Sequence, residues 1–203
     1  MNAPREAGTF GSARTEHDDQ DRARRSGRNM LNIGFTPDSD MDIPAGAERA
    51  WRDGRIGLAT LSATDLRYGW FAYRTDFEVG GHAFLSGARE PLVDTMFTLA
   101  HTLRGLYANG SAEIDFTENS YVIRLEVTGD RVTFTSSRRA PAEPPRCAVE
   151  DYAAAVRAFV ATGTAWLAGN HPAIAANPAL HELRALVSDP AGGGTGDPGL
   201  RTV

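Results

Sequence analysis

Between Glu90 and Arg138 the hydrophobic repeat switches once, from helical to alternating, and this restricts the chain to folds that set a helix against a meander of short strands. Leu92, Met96, Leu99, Leu103 and Leu106 recur at helical spacing, and Val93, Phe97, Ala100 and Tyr107 widen the same apolar sector, as in a core-facing helix. Pro91 suits a first turn, and Glu90 and Asp94 set negative charge at the positive end of the helix dipole. Asn109-Gly110 provides the left-handed residues that end helices.

The period then becomes two. Ala112, Ile114 and Phe116 alternate with Glu113, Asp115 and Thr117; Ile123, Leu125 and Val127 mark a second strand, and Val132 and Phe134 a third. Gly129-Asp130 is a two-residue hairpin loop. Pairing outward from it sets Val127 against Val132, Glu126 against Thr133 and Leu125 against Phe134, so apolar residues meet apolar ones. The turn around Glu118-Asn119-Ser120 permits two registers. A loop at 118–119 sets Glu113 against Arg124; a shift by one sets Asp115 against Arg124 and Glu113 against Glu126. The first is preferred, because like charges directly opposite are unfavourable.

The rest of the chain supports this unit. Residues 1–43 are polar, with a mixed-charge run from Glu16 to Arg28 and turn formers from Pro37 to Asp40, and are expected to be a disordered tail; the sequence leaves Met1, Met30 and Met41 open as the start of translation. Ala45 to Arg52 is expected as a short helix and Ile56 to Leu61 as a short strand. Tyr68 to Val79 alternates as a long strand, and His82 to Gly87 forms a short return strand carrying Phe84. Ala140 to Pro145 reads as a Pro-rich connector. A second long helix follows, with Val149, Tyr152, Val156, Phe159, Val160 and Trp166 inward, stopping near Gly169-Asn170, and a last helix covers Pro178 to Val187. The expectation is one α+β domain over 44–188, an antiparallel meander with two main helices on one face, then a flexible tail over 189–203.

The chemistry is sparse. Cys147 lies in the connector with no nucleophile signature around it, and His17, His82, His101, His171 and His181 lack metal-ligand spacing. Gly80-Gly81 lacks the residues of a phosphate loop. No catalytic residue, metal or cofactor is therefore assigned. The chain of 203 residues carries a net charge of −5, and all 21 of its Lys/Arg-class residues are arginine. With abundant Ala, Gly and Pro, this reads as GC-rich, actinobacterial coding bias rather than a nucleic-acid footprint, which is usually net basic. The sequence shows neither an apolar membrane span nor a signal peptide, and a lone cysteine makes no internal disulfide, so the expected location is the cytoplasm.

The remaining candidates are Glu113 and Asp115, on one face of one strand, with Glu118 near its end. A solvated sheet face with a Glu113–Arg124 pair is the plainer explanation of them; the functional reading is an acidic face that meets a protein partner.

The pattern PLVDTMFTLAHTLRGL followed by AEIDFTENSYVIRLEVTGDRVTF resembles small actinobacterial α+β proteins, including the immunity type that accompanies polymorphic toxins. The similarity spans Tyr68 to about Gly169 and rests on architecture, without a diagnostic motif. It implies a cytoplasmic, non-enzymatic protein that neutralises a basic toxin domain through a surface patch, and it assigns no functional residues. The alternative is a small-ligand-binding or enzymatic domain with a pocket near Trp70, Tyr73, His82 and His101. Oligomeric state is not legible in the sequence.

Overall fold

The computed structural model describes residues 31–116, 121–137 and 142–190. The chain runs β1 (Leu31–Thr36), a 3-10 turn (Ser39–Met41), α1 (Glu48–Arg52), α2 (Ala63–Gly69), β2 (Ala72–Val79), β3 (His82–Pro91), α3 (Leu92–Asn109) and β4 (Ser111–Phe116). It continues with β5 (Tyr121–Thr128), β6 (Arg131–Ser136), β7 (Arg146–Ala148), α4 (Val149–Asn170), a second 3-10 turn (Pro172–Ala176) and α5 (Pro178–Ser188). This is an α+β fold with antiparallel strands. They form two sheets, β1-β2-β3 and β4-β5-β6-β7, where the sequence suggests one. Side chains close the seam between them: the Phe134 ring of β6 lies 5.9 Å from Phe77 of β2 and 6.0 Å from Phe84 of β3.

The apolar stripe of α3 is buried from Leu92 to Leu106, whereas Tyr107, expected in the same sector, is exposed in the last turn, and Gly110 closes the helix in the left-handed region at φ 71°. β4 to β6 pair in the expected register, with Glu113 opposite Arg124, Leu125 opposite Phe134 and Val127 opposite Val132. Both long helices contribute to one core with both sheets, and α5 adds Leu180 and Leu183.

Several boundaries differ from expectation. The first strand starts at Leu31, inside the expected 1–43 tail: Leu31, Ile33 and Phe35 alternate with Asn32, Gly34 and Thr36, and β1 pairs with β2 over its whole length. Residues 1–30 and 191–203 lie outside the described residues, as does Glu118. The expected strand over 56–61 is a turn, because the Gly57 carbonyl accepts from the Thr60 and Leu61 N–H groups, each at 3.0 Å. Asn177 then donates to the carbonyls of Leu58 at 2.7 Å and Leu61 at 3.1 Å, so no sheet partner is needed there. The first part of the expected 68–79 strand belongs to α2, whose Ser62 cap accepts from the Asp65 N–H and donates to its carboxylate. The return strand continues past Gly87 to Pro91, which pairs with Ala72. Cys147, expected in the Pro-rich connector, instead lies in β7, a strand over Arg146–Ala148 that follows the 140–145 segment, where it faces Val132 and is buried.

Candidate functional site

Antiparallel strands with one face on a core leave the alternate residues to water, and the β4–β7 sheet does this over four strands. Ile114, Ile123, Leu125, Val132, Phe134 and Cys147 are buried, whereas Glu113, Asp115, Arg124, Glu126, Arg131 and Arg146 are exposed. Rows of paired residues cross the open face: Glu113–Arg124–Thr135, then Ser111–Glu126–Thr133–Arg146, then Thr128–Arg131–Ala148. Arg124 Nε donates to Glu113 Oε1 at 2.8 Å, with more than half of each side chain exposed. Asp115 stands opposite Val122.

Charge is unevenly spread. On β4 and β5 the strand residues are three carboxylates, Glu113, Asp115 and Glu126, against one guanidinium, Arg124, a net of −2. On β6 and β7 they are Arg131 and Arg146, a net of +2. The face is thus acidic at the β4 side only. Arg146 escapes sequence reasoning because β7 has three residues, too short for an alternation to show, whereas Arg131 lies in the expected β6 and only its row with Thr128 and Ala148 sets it on the same face. The Arg146-Cys147-Ala148 pattern of charged, apolar, small is the only trace of β7.

A second concentration of polar and aromatic groups lies under β1. The Tyr73 hydroxyl donates to Asp42 Oδ1, and Asp42 Oδ2 lies 3.0 Å from His171 Nε2. Burial first, then the hydrogen bond and charge of Asp42, hold the Tyr73 hydroxyl far above the usual phenol range. The Asp42 carbonyl accepts from the N–H of Phe71 at 3.3 Å, and the Phe71 carbonyl accepts from Leu92 at 2.9 Å. Phe71 is fully buried at φ 57°, a strained conformation for a side chain with a Cβ that these bonds hold in place. The His171 ring packs 5.0 Å from Phe71 and 6.0 Å from Trp166. Beside this cluster an apolar groove of about 340 Å³ runs between β1 and α4, lined by Phe35, Pro37, Phe159, Thr162 and Trp166 among others.

The four residues of the expected ligand pocket are not brought together. Trp70 packs on Trp51 and Phe71, and Tyr73 bonds Asp42. His82 faces Phe84 at 4.7 Å, opposite Val79 and six residues along the strand from Tyr73, which is roughly 20 Å. His101 stacks at 6.2 Å on Phe97, over which the Arg67 guanidinium also lies. Burial first, and then the charge of Arg67, lower the His101 pKa. Among the described residues no group of three or more His, Cys, Asp or Glu side chains is arranged to hold a metal, and no helix is long and apolar enough to cross a membrane.

Neither a scan of protein-family models nor searches of curated proteins and of solved structures find a match to this chain.

Proposed function

We propose that this chain is a non-enzymatic protein-binding domain whose contact surface is the open face of β4–β7, with the β4 carboxylates meeting basic groups of the partner. The observation that carries the reading is the uncovered four-stranded face with its acidic side at Glu113, Asp115 and Glu126. Opposed charges of this kind govern specificity and encounter rate more than raw affinity. The resemblance to immunity-type proteins points the same way, to a cytoplasmic chain that engages a basic toxin domain. Glu113 and Asp115 are partner-contact residues in this reading, and Arg131 and Arg146 set the orientation.

A photoreactive side chain at position 113 tests it, compared in the producing cells with one at exposed position 165 on α4. The expected result is a discrete protein adduct from position 113 alone, suppressed by Glu126→Lys. The same adducts from both positions, indifferent to charge, overturn the reading.

The groove favours a second reading, binding of a neutral, ring-bearing small molecule against Phe35, Phe159 and Trp166, because its lining holds aromatic and aliphatic groups and no charge. Filling it with Ala158→Trp should abolish any quenching of tryptophan fluorescence by added indole or naphthol; equal quenching in both proteins excludes it.

A further inference from the structure

We propose that the partner surface is supplied by a second copy of this chain, the two open faces packing on each other about a two-fold axis that runs between β5 and β6. This rests on the reading of the open face as a protein-binding surface and sets a second copy in the place of the basic toxin domain. The two-fold exchanges the β4–β5 half, net −2, with the β6–β7 half, net +2, so that each copy offers the charge the other lacks.

Among the described residues the charges in question find no partner within one chain. Asp115, Glu126, Arg131 and Arg146 make no ion pair among the described residues; the face's single bridge is Glu113–Arg124. Glu126 and Arg146 share a row but are separated by Thr133, which at about 4.8 Å per strand leaves them roughly 10 Å apart. The uncharged residues of these rows, Ser111, Thr128, Thr133, Thr135 and Ala148, are small enough to let a second face approach.

Charge also selects the arrangement. Edge pairing through β4 sets Glu113 and Asp115 beside their own copies, and stacking β4 over β4 does the same, both unfavourable. The opposite edge has three residues preceded by Pro144-Pro145, which lack the N–H groups a new ladder needs. Face packing that exchanges the two halves is the arrangement that opposes unlike charges, and stacked sheets of this kind are an ordinary packing mode.

The test uses the full chain in sedimentation velocity at 0.15 M salt. The wild type should associate reversibly to a dimer. Asp115→Arg/Glu126→Arg and Arg131→Glu/Arg146→Glu should each weaken self-association by at least about ten-fold, a change of about 1.4 kcal/mol, and an equimolar mixture of the two should restore a dimer holding one copy of each. Should either variant lose its cooperative melt, Asp115→Asn/Glu126→Gln replaces it, with weakened association expected. A wild type that stays monomeric at several hundred micromolar, or two variants that fail to complement, overturns the proposal. A monomeric chain whose position 113 still cross-links to another, basic protein removes the second copy and leaves the binding face standing; loss of both results removes both.

Discussion

Gly163 of α4 and Met96 of α3 share one space: a Cβ placed on Gly163 would lie 2.5 Å from Met96 Sδ. Met96 is fully buried, so its thioether cannot swing to solvent without repacking the core. Gly163→Ala should therefore destabilise the fold, because an overpacking cost of about 1–3 kcal/mol outweighs a gain in helix propensity of up to about 1 kcal/mol. Met96→Val in the same chain should recover most of the loss. Urea midpoints of the three proteins decide it, and a stabilised Gly163→Ala would show that Met96 yields freely.

Asp42 should behave as a hub rather than as one end of a pair. Tyr73→Phe removes one donor and leaves the Asp42–His171 contact, whereas Asp42→Ala strips acceptors from both partners. Each buried donor left alone costs about 1–3 kcal/mol, so Asp42→Ala should lose more than Tyr73→Phe or His171→Gln. A double-mutant cycle should show coupling of roughly 0.5–3 kcal/mol; additive losses would mean that the contacts act separately.

A chain beginning at Pro44 lacks β1 and Asp42, and should melt well below one beginning at Leu31, since β2 would lose its ladder partner. Equal melting temperatures would show that β1 adds nothing to the domain.

Cys147 gives a pH signature. Burial first, then the charge of Asp151, push its thiol up to about 11 from 9.0, against an opposing pull from Arg131. A folded-state pKa above the unfolded one gives stability that is fully present below pH 9 and is lost as pH rises through about 11. The thiol should react slowly with a disulfide reagent at pH 8 and rapidly once urea unfolds the chain. Fast labelling of the native protein would contradict its burial under Val132.

Legibility in the sequence followed the length of the repeats. The stripe of α3, the Gly129-Asp130 loop and the Glu113–Arg124 pairing lie in segments where one period persists, so turn chemistry and charge choose a single register. β1 carries the same alternation but sits beside a cluster of turn formers, and its six residues pair with a strand far along the chain. β7 is shorter still. Residues 56–61 look like a strand because they are apolar at Ile56, Leu58 and Leu61, yet Gly57 closes a turn locally and Asn177 satisfies the backbone from a distance. The Asp42–Tyr73–His171 cluster joins three separate segments, and no spacing along the chain encodes it. The acidic side of the open face was visible, as was the strand that carries Arg131, whereas Arg146 depended on β7.

The pairing of β1 with β2 has a consequence during synthesis. Leu31, Ile33 and Phe35 are made before Ala72 to Val79 exist, and the span from Pro37 to Phe71 must be added before the ladder can begin. At about 5–20 residues per second that interval is roughly 2–7 s. The nascent chain thus carries an apolar, unpaired strand through that time, while β4, β5 and β6 each meet a partner almost as soon as it is translated.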